Sequence, residues 1–285
     1  MTALLPPPLP DEVHDRVPVE PRADCVADSA GGLTFDLADL GRPGAAYLLL
    51  RLRERQPHGA GHTETRLPLT PAADGRLRAV LPSSVQLAEG RWDVYADHGD
   101  AAPRRLAPGV NDLRSLVDRM PSGTRPHIAV RIPYATKHGN LTVRAWHRAP
   151  HAEAGELLID GAGLTVRGRL LGAPLTPAGY AELRARTPEG DSPGQAARRV
   201  ELGGSGGEFG LTVGYAELAD APGIWDLWLL PQGAQGPQAR VARLLDDVAD
   251  KKPIFTYPAV RTGPVAVGPY YTRDNDLSLR VTEAG

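Results

Sequence analysis

The sequence predicts an all-β protein that contains two tandem immunoglobulin-like β-sandwich domains arising from an internal duplication. Three observations lead to this fold class. Short apolar or alternating segments recur at intervals of roughly 8–15 residues between turn residues, which is typical of sandwiches and barrels. The 32 Gly and 28 Pro indicate many turns and few long helices. The third observation is a repeated phrase, which predicts the duplication.

The repeated phrase is PYATKHGNLTVR at 133–144 and PYYTRDNDLSLR at 269–280. Upstream, GRWDVYAD and GIWDLWLL align Trp92 with Trp225. The separation between matched positions grows from 131 to 136 residues and never falls back, as small loop insertions in a duplicated unit would produce. We expect each tryptophan to face inward and fill the gap between two sheets. The other matched positions are Leu33 with Leu164, Arg105 with Arg240, and Pro133 with Pro269.

Each copy is predicted to consist of strands, with a short helix near 111–120 and another near 244–252. In the repeated phrase, LTVR and LSLR alternate apolar with polar residues, so each predicts a strand with one wet face. The preceding KHGN and RDND supply residues that accept the positive φ of a tight hairpin. Each Pro-Tyr is expected to end the preceding strand. The predicted strands are 46–53, 76–81, 92–96, 128–132 and 141–146 in the first copy, and 164–172, 181–186, 209–213, 225–230 and 239–245 in the second.

The matched halves divide the chain into a tail at 1–21 and two sandwich domains at 22–147 and 148–285. The tail contains six Pro and no periodicity, which predicts disorder because it cannot bury enough apolar surface to offset ordering. Its PPPLP segment leaves open a role as a polyproline II ligand.

Composition excludes several classes of function. The net charge of −2 and the lack of a polybasic block do not suggest a nucleic-acid or anionic-membrane surface. The single cysteine, Cys25, excludes an intrachain disulfide and a cysteine-based zinc site. We find neither a signal-peptide pattern nor the ~18–20 apolar residues that span a bilayer. The sequence therefore predicts a cytoplasmic protein without a membrane span.

Three motifs suggest chemistry, and in each case a structural interpretation is favoured. GGSGG at 203–207 satisfies the G-x-S-x-G pattern around Ser205, but a strand rather than a helix follows it, which favours a hairpin loop. The i, i+4 pairs His58/His62 and His147/His151 lack helical context. The acidic DND at 274–276 has no carboxylate counterpart in the first copy. We therefore predict no catalytic residue, no metal site and no cofactor.

One surface constellation remains as a candidate ligand site. The two hairpins carry aromatic, amide and guanidinium groups, which suit sugars and sugar phosphates through stacking and bidentate hydrogen bonds. The alternative is that the tyrosines pack inward and the arginines are simply solvated. The candidate residues are Tyr134, Lys137, Asn140 and Arg144 on the first hairpin and Tyr270, Arg273, Asp276 and Arg280 on the second.

The stretches LAEGRWDVYAD, IPYATKHGNLTVRAW and GPYYTRDNDLSLRV resemble β-rich regions of actinobacterial proteins labelled transferase. The resemblance extends over most of residues 25–281. It implies an association with glycosyltransferases and polyol-phosphate transferases that build cell-wall glycopolymers. The catalytic part of such systems would be a nucleotide-sugar-binding α/β domain, which this sequence does not contain, so no catalytic residue is carried over.

Three functions follow as hypotheses. The first is a non-catalytic recognition or accessory module that binds a sugar-containing ligand or a partner enzyme in surface-glycan synthesis. The second is a transferase whose site lies in the cleft between the domains, near His147 and His151. The third is a scaffold that makes only protein contacts, through a sheet edge or the Pro-rich tail.

Overall fold

The computed structural model describes residues 20–38, 44–53, 63–72, 74–99, 102–117, 119–121, 127–186 and 193–284. The predicted disordered tail lies outside the described residues except for its last two positions. Pro21 is buried, and its carbonyl oxygen accepts a hydrogen bond of 2.9 Å from the Ala107 amide. The described chain therefore joins the first sheet from Pro21 onward.

The described residues of the first domain form ten strands and one 3₁₀ turn in two packed layers. Apolar residues alternate along these strands, so one face of each layer is buried against the other. The elements are β1 Arg22–Ala27, β2 Leu33–Ala38, β3 Ala46–Leu52, β4 Glu64–Pro71, β5 Arg76–Leu81, β6 Gly90–Asp97, β7 Arg104–Arg105, β8 Ala107–Asp112, the 3₁₀ turn Arg114–Leu116, β9 Ile128–Ala135 and β10 Leu141–Arg148.

In the second domain, the part of the chain that the structure describes forms eleven strands and one 3₁₀ turn. The Ala149–Pro150 peptide bond between the domains is cis. The elements are β11 His151–Ile159, β12 Gly163–Leu171, β13 Tyr180–Arg186, β14 Pro193–Val200, β15 Leu202–Gly203, β16 Glu208–Gly214, the 3₁₀ turn Tyr215–Leu218, β17 Gly223–Leu230, β18 Ala239–Ala242, β19 Val260–Thr262, β20 Val265–Tyr271 and β21 Leu277–Glu283.

The two domains share one topology. In each, the first strand pairs antiparallel with the second and parallel with a later strand, β1 with β8 and β11 with β18. A central strand, β6 or β17, pairs with the third strand on one side and with the last strand of the terminal hairpin on the other. This strand order is that of an immunoglobulin-like sandwich, so the predicted tandem all-β fold is confirmed.

The matched tryptophans occupy the same place in both domains. Trp92 lies on β6 and Trp225 on β17, and both are buried. Each indole Nε1 donates a hydrogen bond of 3.0 Å to the carbonyl oxygen four residues upstream, at Ala88 and Ala221 respectively. The inward orientation expected from the sequence is confirmed.

The aspartate that follows each tryptophan is the centre of a polar cluster that occurs in both domains. Asp93 Oδ1 accepts hydrogen bonds from Arg105 at 2.6 Å and from Thr142 at 3.1 Å, and it also pairs with Arg53. The second copy is equivalent in every member: Asp226 pairs with Arg240 at 2.5 Å, with Arg186 at 2.6 Å and with Ser278 at 2.7 Å.

The outer face beside each cluster carries an aromatic ring between two guanidinium groups. In the first domain, Arg51 and Arg105 each lie 5.0 Å from the centroid of the Tyr95 ring. In the second, Trp228 is contacted by Arg184 at 4.9 Å and by Arg240 at 5.4 Å. Cation–π contacts at such exposed sites contribute about 0.5–1 kcal/mol each. Because the arrangement occurs in both copies, we interpret it as scaffolding.

Two local predictions are wrong. The segment 244–252 is not helical, whereas the segment 111–120 contains a single 3₁₀ turn. Pro-Tyr does not end the strand but lies inside β9 and β20. Pro133 is tolerated because β9 lies at the end of its sheet, and the pairing of β19 with β20 stops at Val267, before Pro269. A proline whose backbone nitrogen faces no neighbouring strand removes no hydrogen bond from the sheet.

We predict that Asp93→Ala and Asp226→Ala destabilise the protein by similar amounts, about 2–4 kcal/mol each, because each removes a carboxylate that pairs with two arginines and accepts a hydrogen bond from a hydroxyl group. Urea unfolding measures the effect. The control is Asp220→Ala, whose carboxylate is 74% exposed and pairs with Arg198 at the surface, with an expected cost below about 1 kcal/mol. Costs at Asp93 and Asp226 no larger than at Asp220 would contradict the structural role of the cluster.

Candidate functional site

The two hairpin tips, residues 136–140 and 272–276, have the same backbone conformation. In the first tip, the Thr136 amide donates to Asn140 O at 2.8 Å, and the Gly139 amide donates to Thr136 O at 2.9 Å. Gly139 has φ 76° and its counterpart Asn275 has φ 61°. A type I turn followed by a left-handed residue closes a short hairpin in this way, so the predicted positive φ is confirmed.

The second tip docks onto β10 of the first domain. Arg144 Nη2 donates to Asp274 Oδ1 at 2.5 Å, and Trp146 Nε1 donates to the Asp274 carbonyl oxygen at 3.0 Å. Arg148 Nη1 binds Asp276 Oδ1 at 2.6 Å. Charge-assisted hydrogen bonds of this length are among the stronger polar contacts in proteins. The tip is therefore an interface element that joins the two domains.

Burial shapes the electrostatics of this interface. Desolvation raises the pKa of Asp276, against the opposing effect of the guanidinium groups of Arg148 and Arg240. Desolvation also lowers the pKa of Arg144. Apolar packing accompanies the ion pairs, because Ala242 and Leu244 of the second domain belong to the buried cluster of the first domain. Burial of these apolar side chains stabilises the docked arrangement through the hydrophobic effect.

The eight residues of the predicted ligand surface are thus divided among three environments. Arg144 and Asp276 are buried in the domain interface, and the Arg273 carbonyl oxygen accepts a hydrogen bond of 2.7 Å from Arg91. Arg280 is exposed and lies 4.7 Å from the centroid of the half-buried Tyr270 ring, on the outer face of the second domain. The first tip carries exposed Lys137 and half-buried Asn140, next to half-buried Tyr134. A ligand role for these residues stays a prediction.

A groove of about 1050 Å³ lies between the two domains. We call it the interdomain groove. Its volume matches the upper end of the roughly 300–1,000 Å³ range of ligand sites. The first domain contributes Val117, Arg119 and Met120, and the second contributes parts of β11, β12, β15, β16 and the segment 243–255. Because its walls come from both copies, no single stretch of sequence predicts it.

Glycines from several strands of one sheet form part of the floor of the interdomain groove. Gly155, Gly203 and Gly210 all line it. A Cβ atom built on Gly210 would meet no atom within 4 Å, so the space above it is open. Charged side chains of both signs surround this floor, among them Arg167 and Glu156, which pair at 3.3 Å.

Glu153, Asp246 and Lys251, on the 243–251 side of the groove, have structural partners. Glu153 accepts hydrogen bonds from the Leu244 and Leu245 amides at 2.9 and 3.0 Å. Buried Lys251 donates to Asp246 at 2.6 Å, and burial lowers the pKa of its ammonium group despite that partner. The Lys251 amide donates to Asn275 Oδ1 at 3.1 Å rather than to a carbonyl oxygen four residues earlier, as it would in a helix.

Two aromatic side chains line the groove, and of these Phe209 is buried while Phe255 is in contact with neighbouring side chains. Arg243 lies 4.9 Å from the centroid of the Phe255 ring, and Tyr271 packs against the edge of that ring at 5.8 Å. Desolvation raises the pKa of the Tyr271 hydroxyl. The Phe255 ring is therefore not presented as an open stacking platform.

The two histidines of the predicted cleft make separate contacts. His147 lies at the end of β10 and stacks on His127 with a centroid distance of 4.6 Å. His151 begins β11, is buried, and its Nε2 lies 2.7 Å from Glu153 Oε2. Neither histidine lines the interdomain groove. The other predicted pair, His58 and His62, lies outside the described residues.

The Ser205 motif forms the hairpin loop between β15 and β16, as expected. The Ser205 carbonyl oxygen accepts a hydrogen bond of 3.0 Å from the Glu208 amide, and a strand follows. A nucleophile elbow requires a helix at this point. Over the described ranges, no cluster of three or more His, Cys, Asp or Glu side chains is arranged to hold a metal ion. In the same part of the chain, no helix is long and apolar enough to cross a membrane.

No protein-family model and no curated protein matches the chain. Among solved structures, the chain is similar to a marsupial T cell receptor at 8% identity and a TM-score of 0.28, covering 93% of this chain and 92% of that one. It is also similar to the FN1–FN3 domains of chicken CNTN1 at 11% identity and a TM-score of 0.19, covering 78% of this chain and 62% of that one. At these values the alignments carry no argument, and the strand order described above defines the fold class.

We predict that replacing both Asp274 and Asp276 with Ala destabilises the protein by about 3–5 kcal/mol, because buried Arg144 loses its carboxylate partner and Arg148 keeps only Glu89. Hydrogen exchange of the β10 amides should accelerate in parallel, since the tip covers that strand. The matched control is His138→Ala with Asn140→Ala on the undocked twin tip, where we expect a change within about 0.5 kcal/mol. Equal effects at the two tips would show that docking contributes nothing.

Proposed function

We propose that the protein is a non-catalytic recognition protein that binds an extended segment of a partner protein in the interdomain groove. The observation that carries this proposal is the groove itself, which combines walls from two docked domains with a glycine floor. A groove of fixed shape reduces the ordering cost of binding, because less of the site has to be organised when the ligand arrives.

The rim of the groove favours a protein ligand. Met120 is 66% exposed and Val117 is 52% exposed, and both lie on the first-domain wall. Ile254, beside the Phe255 wall of the second domain, is also exposed. A group of exposed large apolar side chains is typical of a protein-interaction surface. An unbranched methionine also adapts to varied partner side chains.

The contacts of Glu153 and Asp246 argue against a role for either as a general base. A general base needs a free carboxylate or imidazole within reach of the substrate. Glu153 is instead bound to two backbone amides and to His151, and Asp246 is bound to Lys251. The alternative of a transferase with a site formed by His147 and His151 gains no support from their separate contacts.

A sugar-containing ligand is the second candidate, and a specific observation favours it. Arg167 and Arg169 project beside Glu156 and Glu208 over the floor, and such groups form bidentate hydrogen bonds with sugar hydroxyls or phosphates. If the ligand contains a sugar, the protein would act as an accessory to enzymes of surface-glycan synthesis in the cytoplasm, as the resemblance to actinobacterial proteins implies. These details stay predictions.

We predict that Gly210→Trp weakens partner binding at least tenfold by filling the groove. The backbone there is not left-handed and the added Cβ meets open space, so we expect the free energy of unfolding to change by less than about 0.5 kcal/mol. The matched control is Gly161→Trp, which also enters open space but lies outside the groove. Binding is measured against a displayed random-peptide library and against a glycan array.

Each result of this experiment is decisive. Peptides bound by the wild type and the Gly161 variant but lost by the Gly210 variant support the leading proposal. Glycans with the same pattern support the second candidate in its place. Binding that survives Gly210→Trp, or the absence of any peptide or glycan ligand for the wild type, would contradict a recognition role for the groove.

A further inference from the structure

A second and smaller cavity lies in the first domain, away from the interdomain groove. Its volume is about 170 Å³. It is enclosed by the loop between β5 and β6, the start of β9 and the end of β10. We call it the histidine pocket. The polar side chains that line it are Ser83, Ser84, Gln86, His127, Arg131 and His147.

The histidine pocket contains a buried cation without a carboxylate in contact. Arg131 is only 3% exposed, and its guanidinium donates to the carbonyl oxygens of Gly31 at 3.1 Å, Pro82 at 2.9 Å and Val85. Within the described ranges it forms no ion pair. Asp28 affects its pKa only through the longer-range Coulomb interaction, while burial lowers that pKa. Because arginine stays charged in proteins, a buried positive charge remains to be balanced.

The Arg131 guanidinium retains donors for a ligand. It has five N–H groups, and the three carbonyl contacts use three of them. The carbonyl oxygens carry partial charge only, so they orient the cation without neutralising it. A bound anion would supply the missing full negative charge through charge-assisted hydrogen bonds.

The stacked histidines provide a second observation. His147 Nε2 is buried and has no hydrogen-bond partner in the described part of the chain. A buried polar atom left unpaired costs about 1–3 kcal/mol, so such atoms usually have a partner. An oxygen ligand in the pocket would provide one. Ser84 and Gln86 are exposed at the mouth, and their side chains add further donors.

We propose that the histidine pocket binds a small oxyanion group, a phosphate or a carboxylate. The size of the pocket supports a small ligand. At 170 Å³ it lies well below the roughly 300–1,000 Å³ typical of sites for whole organic molecules. It equals five or six water molecules at about 30 Å³ each, which is room for one anionic group. A larger ligand would insert only its charged group and leave the remainder at the solvent-exposed mouth.

The test is isothermal titration of the full chain at pH 7 and low ionic strength with inorganic phosphate, with acetate, and with glucose 1-phosphate against glucose. His147→Phe keeps an aromatic ring for the stack and removes both ring nitrogens, and Ser84→Ala removes one donor at the mouth. The matched control is His138→Phe on the exposed first tip, outside the pocket. Arg131→Gln is a less useful variant, because losing three carbonyl contacts is expected to impair folding.

We expect the wild type to bind phosphate or acetate, with Kd increasing at least tenfold in His147→Phe and unchanged in His138→Phe. Binding of glucose 1-phosphate but not of glucose assigns the recognition to the anionic group. Equal affinity in the wild type and His147→Phe would overturn the proposal, as would the absence of binding by both anions at millimolar concentration. Neither result depends on the interdomain groove, so this site is judged separately from the proposed function.

Discussion

The docking of the second hairpin tip onto β10 is the contact on which the rest of the structure depends. The duplicated units contain two equivalent hairpins, and in the described part of the chain only the second docks onto the other domain. The second tip has Asp274 and Asp276 where the first has His138 and Asn140. Only the second therefore offers carboxylates to the arginines of β10. The docked tip fixes the orientation of one sandwich against the other, and the interdomain groove exists because that orientation is fixed.

Two kinds of interaction act at this contact, ion pairs and apolar packing. The ion pairs of Arg144 and Arg148 determine the orientation in which the tip docks. Their net contribution to stability is small, because the cost of desolvating the charges offsets much of the Coulomb attraction. Ala242 and Leu244 supply the hydrophobic burial, since they join the core cluster of the first domain. The same division occurs inside each domain, where the Asp93 or Asp226 cluster orients strands around a core that includes a tryptophan.

Features that depend on local sequence pattern could be predicted from the sequence. Features that depend on contacts between residues far apart in the sequence could not. Alternation and turn residues predicted the strands around Trp92 and Trp225 and the left-handed turn positions. The same alternation marks the outer face of β10 as wet, whereas Arg144 on that face is buried by a residue 130 positions away. Likewise, the apolar spacing of 244–252 predicts a helix, but the Lys251 amide, which a helix would direct to the carbonyl oxygen of Asp247, donates instead to Oδ1 of Asn275, 24 positions away.

The central claim is that the two domains form one rigid unit held by the second tip. Distances between spin labels test it directly, with labels at Val110→Cys on the first domain and Arg261→Cys on the second, both exposed positions. The native thiol does not interfere, because Cys25 is buried and burial raises its pKa to about 12. We predict a single narrow distance distribution centred on the distance in the structure. A broad or bimodal distance distribution in the doubly labelled protein, with no other substitution, would contradict the claim.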